Sequence, residues 1–226
     1  MYRRRTIGEV RWPDTPDFMA VAEAWRARCS TYLVALVWKA YDALMLGVLN
    51  QIDLDDAEDD LERSITQLLE PEMRRAMSGD EPFSVQHGRY EHESRMPAPA
   101  QPPAYDIAFF LIQNPRIMWP IEAKVLHSDG AVADYVTDLR DEFLTCRYAP
   151  FSSEAGMVGY LVSGDPEKAL KNIAASARCR MKRIHAFADR PHRVSDHKRR
   201  VPVGKHYARS FRCHHLILCL ARLPIP

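Results

Sequence analysis

The stretch Tyr105-Asp-Ile-Ala-Phe-Phe-Leu-Ile-Gln-Asn-Pro-Arg-Ile-Met-Trp-Pro-Ile-Glu-Ala-Lys-Val-Leu126 holds two apolar runs separated by Asn114-Pro115. Two β-strands joined by a turn, over roughly 105–112 and 116–126, explain that pattern. Side chains alternate faces along a strand, so Glu122 and Lys124 emerge together while Ala123 points the other way. Asp106 heads the first run. If the hairpin brings it beside the other two, two carboxylates and an ammonium converge. That arrangement is too costly to bury without a cation to bind or chemistry to perform, and a divalent metal is its simplest resolution.

Around this hairpin the chain reads as helices and strands in alternation. Thr15-Pro16-Asp17 supplies an N-cap, a proline in the first helical position and an acid in the first turn, so a long helix should start there and run toward Leu49. Its second half is apolar nearly all round, so either the rest of the domain or a second copy of the chain must cover it. A second helix follows the Asp53–Asp56 cluster, with Leu61, Ile65, Leu68 and Leu69 in one stripe, and extends to about Met77. Pro71 should kink or end it. Residues 78–103 read as a proline-rich lead-in loop in which Phe83-Ser-Val-Gln is the only strand-like piece. After the hairpin come a helix over about 131–145, a strand over about 156–163 and a helix from Pro166 to about Ala186. A loop rich in Arg, His and Lys then leads to a final strand over Cys213–Ala221. This order predicts an α/β fold, a mixed central sheet flanked by helices, with residues 1–52 as an N-terminal helical elaboration on a domain spanning 53–226.

An Asp, one hairpin and then Glu-x-Lys resembles the PD-(D/E)xK, or restriction-endonuclease-like, nuclease superfamily. The likeness extends downstream. Asp134-Tyr-Val-Thr-Asp-Leu-Arg-Asp-Glu-Phe resembles the helix after the catalytic strand, and Gly156-Met-Val-Gly-Tyr-Leu-Val the next strand. Ser195-Asp-His-Lys-Arg followed by His214-His-Leu-Ile-Leu resembles a basic segment and closing strand found in bacterial restriction or phage-defence branches. Tyr105 departs from the pattern, standing where the family name has Pro. The resemblance implies that Asp106 and Glu122 bind Mg²⁺ or Mn²⁺ with the backbone carbonyl of Ala123 as third ligand. Lys124 would then hold the attacking water, and would accept its proton if the metal depresses the ammonium pKa. A further acid is implied on the preceding helix. Glu58 and Glu62 are the candidates, and Glu58 is preferred because it precedes the Leu61 and Ile65 stripe. The implied activity is that of a metal-dependent endonuclease on DNA, serving restriction or anti-phage defence. The alternatives are an inactive nucleic-acid-binding or assembly subunit and an RNA-directed nuclease.

The 226 residues carry 31 Lys and Arg against 30 Asp and Glu, a net charge of +1. The distribution says more than the total. Asp and Glu crowd the chain from Asp53 to Glu81, opposed by Arg63, Arg74 and Arg75; between Arg178 and Arg212 the sign reverses, with Asp189 and Asp196 the only acids. A neutral protein with such a segment can still present a positive surface to a polyanion, and His197, Lys198, Arg199 and Arg200 are the expected nucleic-acid contacts. Arg147-Tyr148 reads either as a substrate-positioning pair or as a packed surface pair. Cys29, Cys146, Cys179, Cys213 and Cys219 form no Cys-x-x-Cys pair, so neither a disulfide framework nor a zinc ribbon is legible, and the histidines from His185 to His215 fit no ligand spacing. One of His214 and His215 should face inward in the last strand. Residues 31–49 are apolar, but Lys39 and Asp42 interrupt them, so we expect a cytoplasmic protein with no membrane partner. Expected partners are DNA, a homodimer formed through the N-terminal helix, and an ATPase or sensor subunit.

Overall fold

The computed structural model describes residues 16–47, 49, 58–91 and 102–220, with the side chains of Glu58 and Asp59 and most of those before Cys29 outside that description. Thr15, the Asp53–Asp56 cluster and Ala221 lie outside the described residues. A mixed sheet of seven strands in the order β1-β2-β3-β4-β7-β6-β5 forms the centre of the molecule. The strands are β1 (Phe83–Tyr90), β2 (Ala104–Leu111), β3 (Met118–Leu126), β4 (Glu154–Leu161), β5 (Met181–Lys182), β6 (His192–Lys198) and β7 (Ser210–Cys219). The first three form an antiparallel meander, β4 and β7 join parallel to β3, and β6 and β5 close the far edge antiparallel.

Four helices cover the two faces: α1 (Pro16–Leu46), α2 (Glu58–Ala76), α3 (Ala133–Asp138) and α4 (Pro166–Ala177). On one face α1 and α2 share a core with the sheet, in which Leu33, Val37, Leu61 and Ile65 pack with Phe109, Trp119, Ile121, Val158 and Leu216. On the other, Tyr135, Val136 and Leu139 of the α3 segment and Leu170 and Ile173 of α4 pack with Met118, Met157, Cys213 and Ile217. The apolar half of α1 is therefore covered by its own chain, and it supplies no ground for the expected homodimer. Its two charges have simple solutions: Lys39 is exposed, and Asp42 takes a two-pronged ion pair from Arg190 at 2.8 and 2.6 Å. Among the described residues no helix is long and apolar enough to cross a membrane.

Several boundaries differ from the sequence reading, each for a physical reason. Pro71 sits inside α2 without ending it. Gln67, four residues earlier, is exposed, so the carbonyl that Pro71 leaves without a donor lies on the solvent side. Phe83–Tyr90 is a full strand because only alternate residues at its start are buried and the outer half is polar, as an edge strand allows. The helix expected to reach Ala186 stops at Ala177, where Arg178 turns left-handed (φ 52°) and Cys179 N–H returns to the Ala174 carbonyl at 3.0 Å. No glycine announces that stop. The segment taken as a basic loop contains β6, in which His192, Arg193 and Ser195 are buried and Ser195 bonds both to His197 and to His215 of β7. Both His214 and His215 are buried, since β7 is an inner strand with a core on either side.

Candidate active site

Period-two alternation on β3 sends Trp119, Ile121, Ala123 and Val125 into the α1/α2 core and Met118 and Leu126 into the other. Glu122 and Lys124 consequently share the α3 face. The β2–β3 ladder ends at Ile107–Ile121, one step before Asp106 would face Glu122. The β1–β2 ladder also skips Asp106, because its opposite number, Gly88, adopts φ 66°, a conformation that favours glycine. Asp106 thus stands where both neighbouring strands let go.

Beyond Ile121, strand β3 keeps its pairing with β4 but loses β2, which frees the N–H groups on that side from the ladder. Buried backbone donors need acceptors. Asp106 Oδ2 accepts the N–H of Ala123 at 2.7 Å, and the Glu62 carboxylate of α2 accepts that of Val125. Two carboxylates stand in for two missing rungs. Lys124 Nζ lies 3.3 Å from Glu122 Oε1, 3.3 Å from Glu62 Oε1 and 3.2 Å from Asp138 Oδ2 at the end of α3. An ammonium therefore sits among acids from three elements, with Asp106 adding to the field.

Protonation follows from that crowding. Burial pushes the Glu122 carboxyl well above its ordinary value, and the negative charges of Asp106 and Asp138 add to the shift against the pull of Lys124. Glu62 is raised by burial to about 7, with Lys124 and the Val125 N–H pulling back and Asp106 adding. Burial also raises Asp106, opposed by the Ala123 N–H, Lys124 and His87. Burial alone would lower Lys124, but the charges of Glu122, Glu62, Asp138 and Asp106 outweigh it and hold the ammonium above its ordinary range. Lys124 is therefore a charged ammonium at neutral pH, a hydrogen-bond donor that keeps its proton.

Asp106, Glu122 and Lys124 are brought together, with the N–H of Ala123 between them. Glu58 opens α2, but its side chain lies outside the described residues; Glu62, one turn on, makes the contact. Asp138 and Glu62 are the acids that the sequence reading passed over or ranked second. Leu61 and Ile65, and Tyr135 and Leu139, mark the buried stripes beside them, and an acid at the margin of such a stripe was the available signal. A π-helical turn, Leu139–Phe143, follows Asp138 directly, with Leu144 N–H reaching back to the Leu139 carbonyl at 3.1 Å.

The expected nucleic-acid contacts divide. Lys198 and Arg200 are exposed. Arg199 is buried and cannot meet a phosphate: Nε donates to the Phe143 carbonyl at 2.9 Å, Nη1 to Ser152 at 2.9 Å, and Nη2 to Tyr148 and Ala149 at 2.8 and 2.9 Å. His197 is half-buried 2.5 Å from Ser195 Oγ, and burial lowers its pKa, so it lines a groove of about 420 Å³ as a neutral ring. Arg147 is ion-paired to Glu142.

Among the described residues no three His, Cys, Asp or Glu side chains form a ready metal cage. The donors nevertheless suit a hard cation. Glu122 Oε2 is buried with no hydrogen-bond partner, and Mg²⁺ commonly keeps its water and takes only one or two carboxylates. Comparison of the chain with protein-family models, with curated proteins and with solved structures gives no match.

Proposed function

We propose that the protein is a metal-dependent endonuclease that hydrolyses phosphodiester bonds in DNA, of the PD-(D/E)xK kind, serving restriction or anti-phage defence. One observation carries the reading: Asp106, Glu122 and Lys124 meet at the point where β2 and β3 part, beside a buried carboxylate oxygen of Glu122 that lacks a partner. Structural ion pairs do not require such an orphan. Asp106 and Glu122 would hold Mg²⁺ or Mn²⁺, which when bound supplies a water of lowered pKa and shields the phosphate charge.

The remaining work falls to the chain. Lys124, charged and fixed by Glu62, Glu122 and Asp138, would orient the attacking water and stabilise the charge that builds on the phosphoryl oxygens. Glu62, at about 7 and 3.3 Å from that ammonium, is the group suited to hold or release a proton near neutral pH. The exposed Lys198 and Arg200 favour a polyanionic substrate. Incubation of supercoiled plasmid with the purified chain should give Mg²⁺-dependent nicking that EDTA abolishes and Ca²⁺ does not support. Undiminished cleavage in EDTA would overturn the mechanism, and no cleavage with either Mg²⁺ or Mn²⁺ would overturn the activity.

A further inference from the structure

Arg199 follows β6, yet its guanidinium donates four hydrogen bonds to carbonyls of the segment that runs from Phe143, the end of the π-helical turn, to Ser152. A buried guanidinium whose fork is filled by backbone carbonyls fixes the loop around it. Stacking reinforces the clamp: the guanidinium lies 4.4 Å over Phe211, which stacks on Phe143 at 5.5 Å. The loop needs such a hold. Cys146 and Ala149 both take left-handed backbone, φ 64° and 50°, which costs free energy in residues with a Cβ.

The same loop is tied to the start of β2. The Ala149 N–H donates to the Tyr105 hydroxyl at 2.8 Å, that hydroxyl donates to Glu91, and the Tyr148 hydroxyl donates to the Ala104 carbonyl at 2.9 Å. The two tyrosine rings meet edge to face at 4.9 Å. Ala104 and Tyr105 immediately precede Asp106, which neither neighbouring strand holds by a ladder bond. The loop supplies what the ladders omit.

We propose that the Phe143–Ser152 loop, clamped on Arg199, is the device that positions Asp106, and that Tyr105, the residue departing from the Pro of the family pattern, is its latch. Arg199 and Tyr105 are positioning residues. They act on the site through the backbone of β2 and touch no substrate. The kinetic consequence rests on the nuclease reading; the structural one does not.

Amide hydrogen exchange separates the two. The Ala123 N–H reports directly on Asp106, its acceptor, while the Leu216 N–H in the inner strand β7 reports on the sheet. In Tyr105→Phe, which leaves the Arg199 clamp in place, and in Arg199→Lys, which keeps the charge but loses the fork, Ala123 should exchange about tenfold faster or more with Leu216 unchanged. In the plasmid assay, kcat should fall by about tenfold or more while KM stays within about twofold, because a misplaced carboxylate costs rate and leaves substrate binding intact. Ala123 exchange that stays at the parent rate in Tyr105→Phe, or rises only in step with Leu216, would overturn the proposal. A parent chain with no cleavage would sink the nuclease reading and leave the exchange result to decide the latch.

Discussion

Burial pushes the Glu62 carboxyl up to about 7, and Glu62 touches Lys124, so this single residue links proton inventory to the site. The folded chain binds a proton there that the unfolded chain, with its ordinary value of 4.5, has released. The associated stability is fully present below 4.5 and is lost as pH rises toward about 7. Glu62→Gln should therefore gain in melting temperature over the parent as pH is raised from about 5 to 7, while its cleavage falls and its Mg²⁺ requirement rises. Glu58→Gln, assayed beside it, should be mild in both respects. A Glu62→Gln curve parallel to that of the parent would place Glu62 outside this linkage. For the core triad, Asp106→Asn, Glu122→Gln and Lys124→Ala should each lower the cleavage rate on the order of a hundredfold with DNA binding retained. Three folded variants that cut like the parent would move the site elsewhere. The triad was legible because an apolar run with period two fixes the face of each residue in it. The contact of Glu62 was not, since Glu58 and Glu62 both precede buried leucines and isoleucines and only the place where β2 leaves β3 frees the Val125 N–H that Glu62 accepts.

Strands β6 and β7 carry a different titration. His192 is depressed to about 3, by burial first and then by the neighbouring charges of His214 and Arg193, and burial holds His215 well below its ordinary range. His192 Nε2 faces His214 Nδ1 at 3.2 Å, and His214 Nε2 faces Glu154 at 3.2 Å, while His215 lies between Ser195 at 2.7 Å and the Tyr135 hydroxyl at 3.0 Å. The His192 and His215 rings stay neutral in the folded chain and take protons in the unfolded one, so stability is lost as pH falls below the ordinary histidine value of 6.5. This slope opposes that of Glu62 across the same window, and only variants separate them. His192→Gln should flatten the acid side of the stability profile between about pH 6.5 and 4 in denaturant titrations; an unaltered profile would assign the acid loss to other groups. The element scale is also where the sequence misled. His192-Arg-Val-Ser-Asp-His-Lys198 reads as a solvated loop because its buried polar residues, His192, Arg193 and Ser195, find partners on β7 and α4, a pairing that no period reveals. Arg199 looked like its neighbours in a Lys-Arg-Arg run for the same reason. The hairpin of β2 and β3 and the strand β4 were legible because apolar residues alone describe their burial.

Over the whole molecule, the proposed site at β2 and β3 and the basic edge at β6 are separated by β4 and β7. The register sets Glu122 level with Met157, His215 and Arg193, so Lys198 lies five residues further along β6. Three strand spacings of about 4.8 Å and five rises of about 3.3 Å put it roughly 22 Å from the site, a span that a bound duplex can bridge. A polynucleotide seated on the site can then reach Lys198 and Arg200, the exposed members of the basic run, while Arg199 serves the fold. The two kinds of arginine make separable claims. Replacing Lys198 and Arg200 together by Gln should leave the melting temperature close to that of the parent, weaken binding to all DNA sequences alike, and flatten the slope of log K against log salt by about two units of 0.9 each. Replacing Arg199 by Ala should do the reverse, since it strands the four carbonyls of the loop. The loss should be about 3 kcal/mol or more of stability, with the salt slope of whatever chain remains folded unchanged. Binding isotherms on one duplex at several salt concentrations, read beside urea titrations, test both claims. A salt slope that ignores Lys198 and Arg200 would make the basic edge a solvated face and confine DNA contact to the region of the triad.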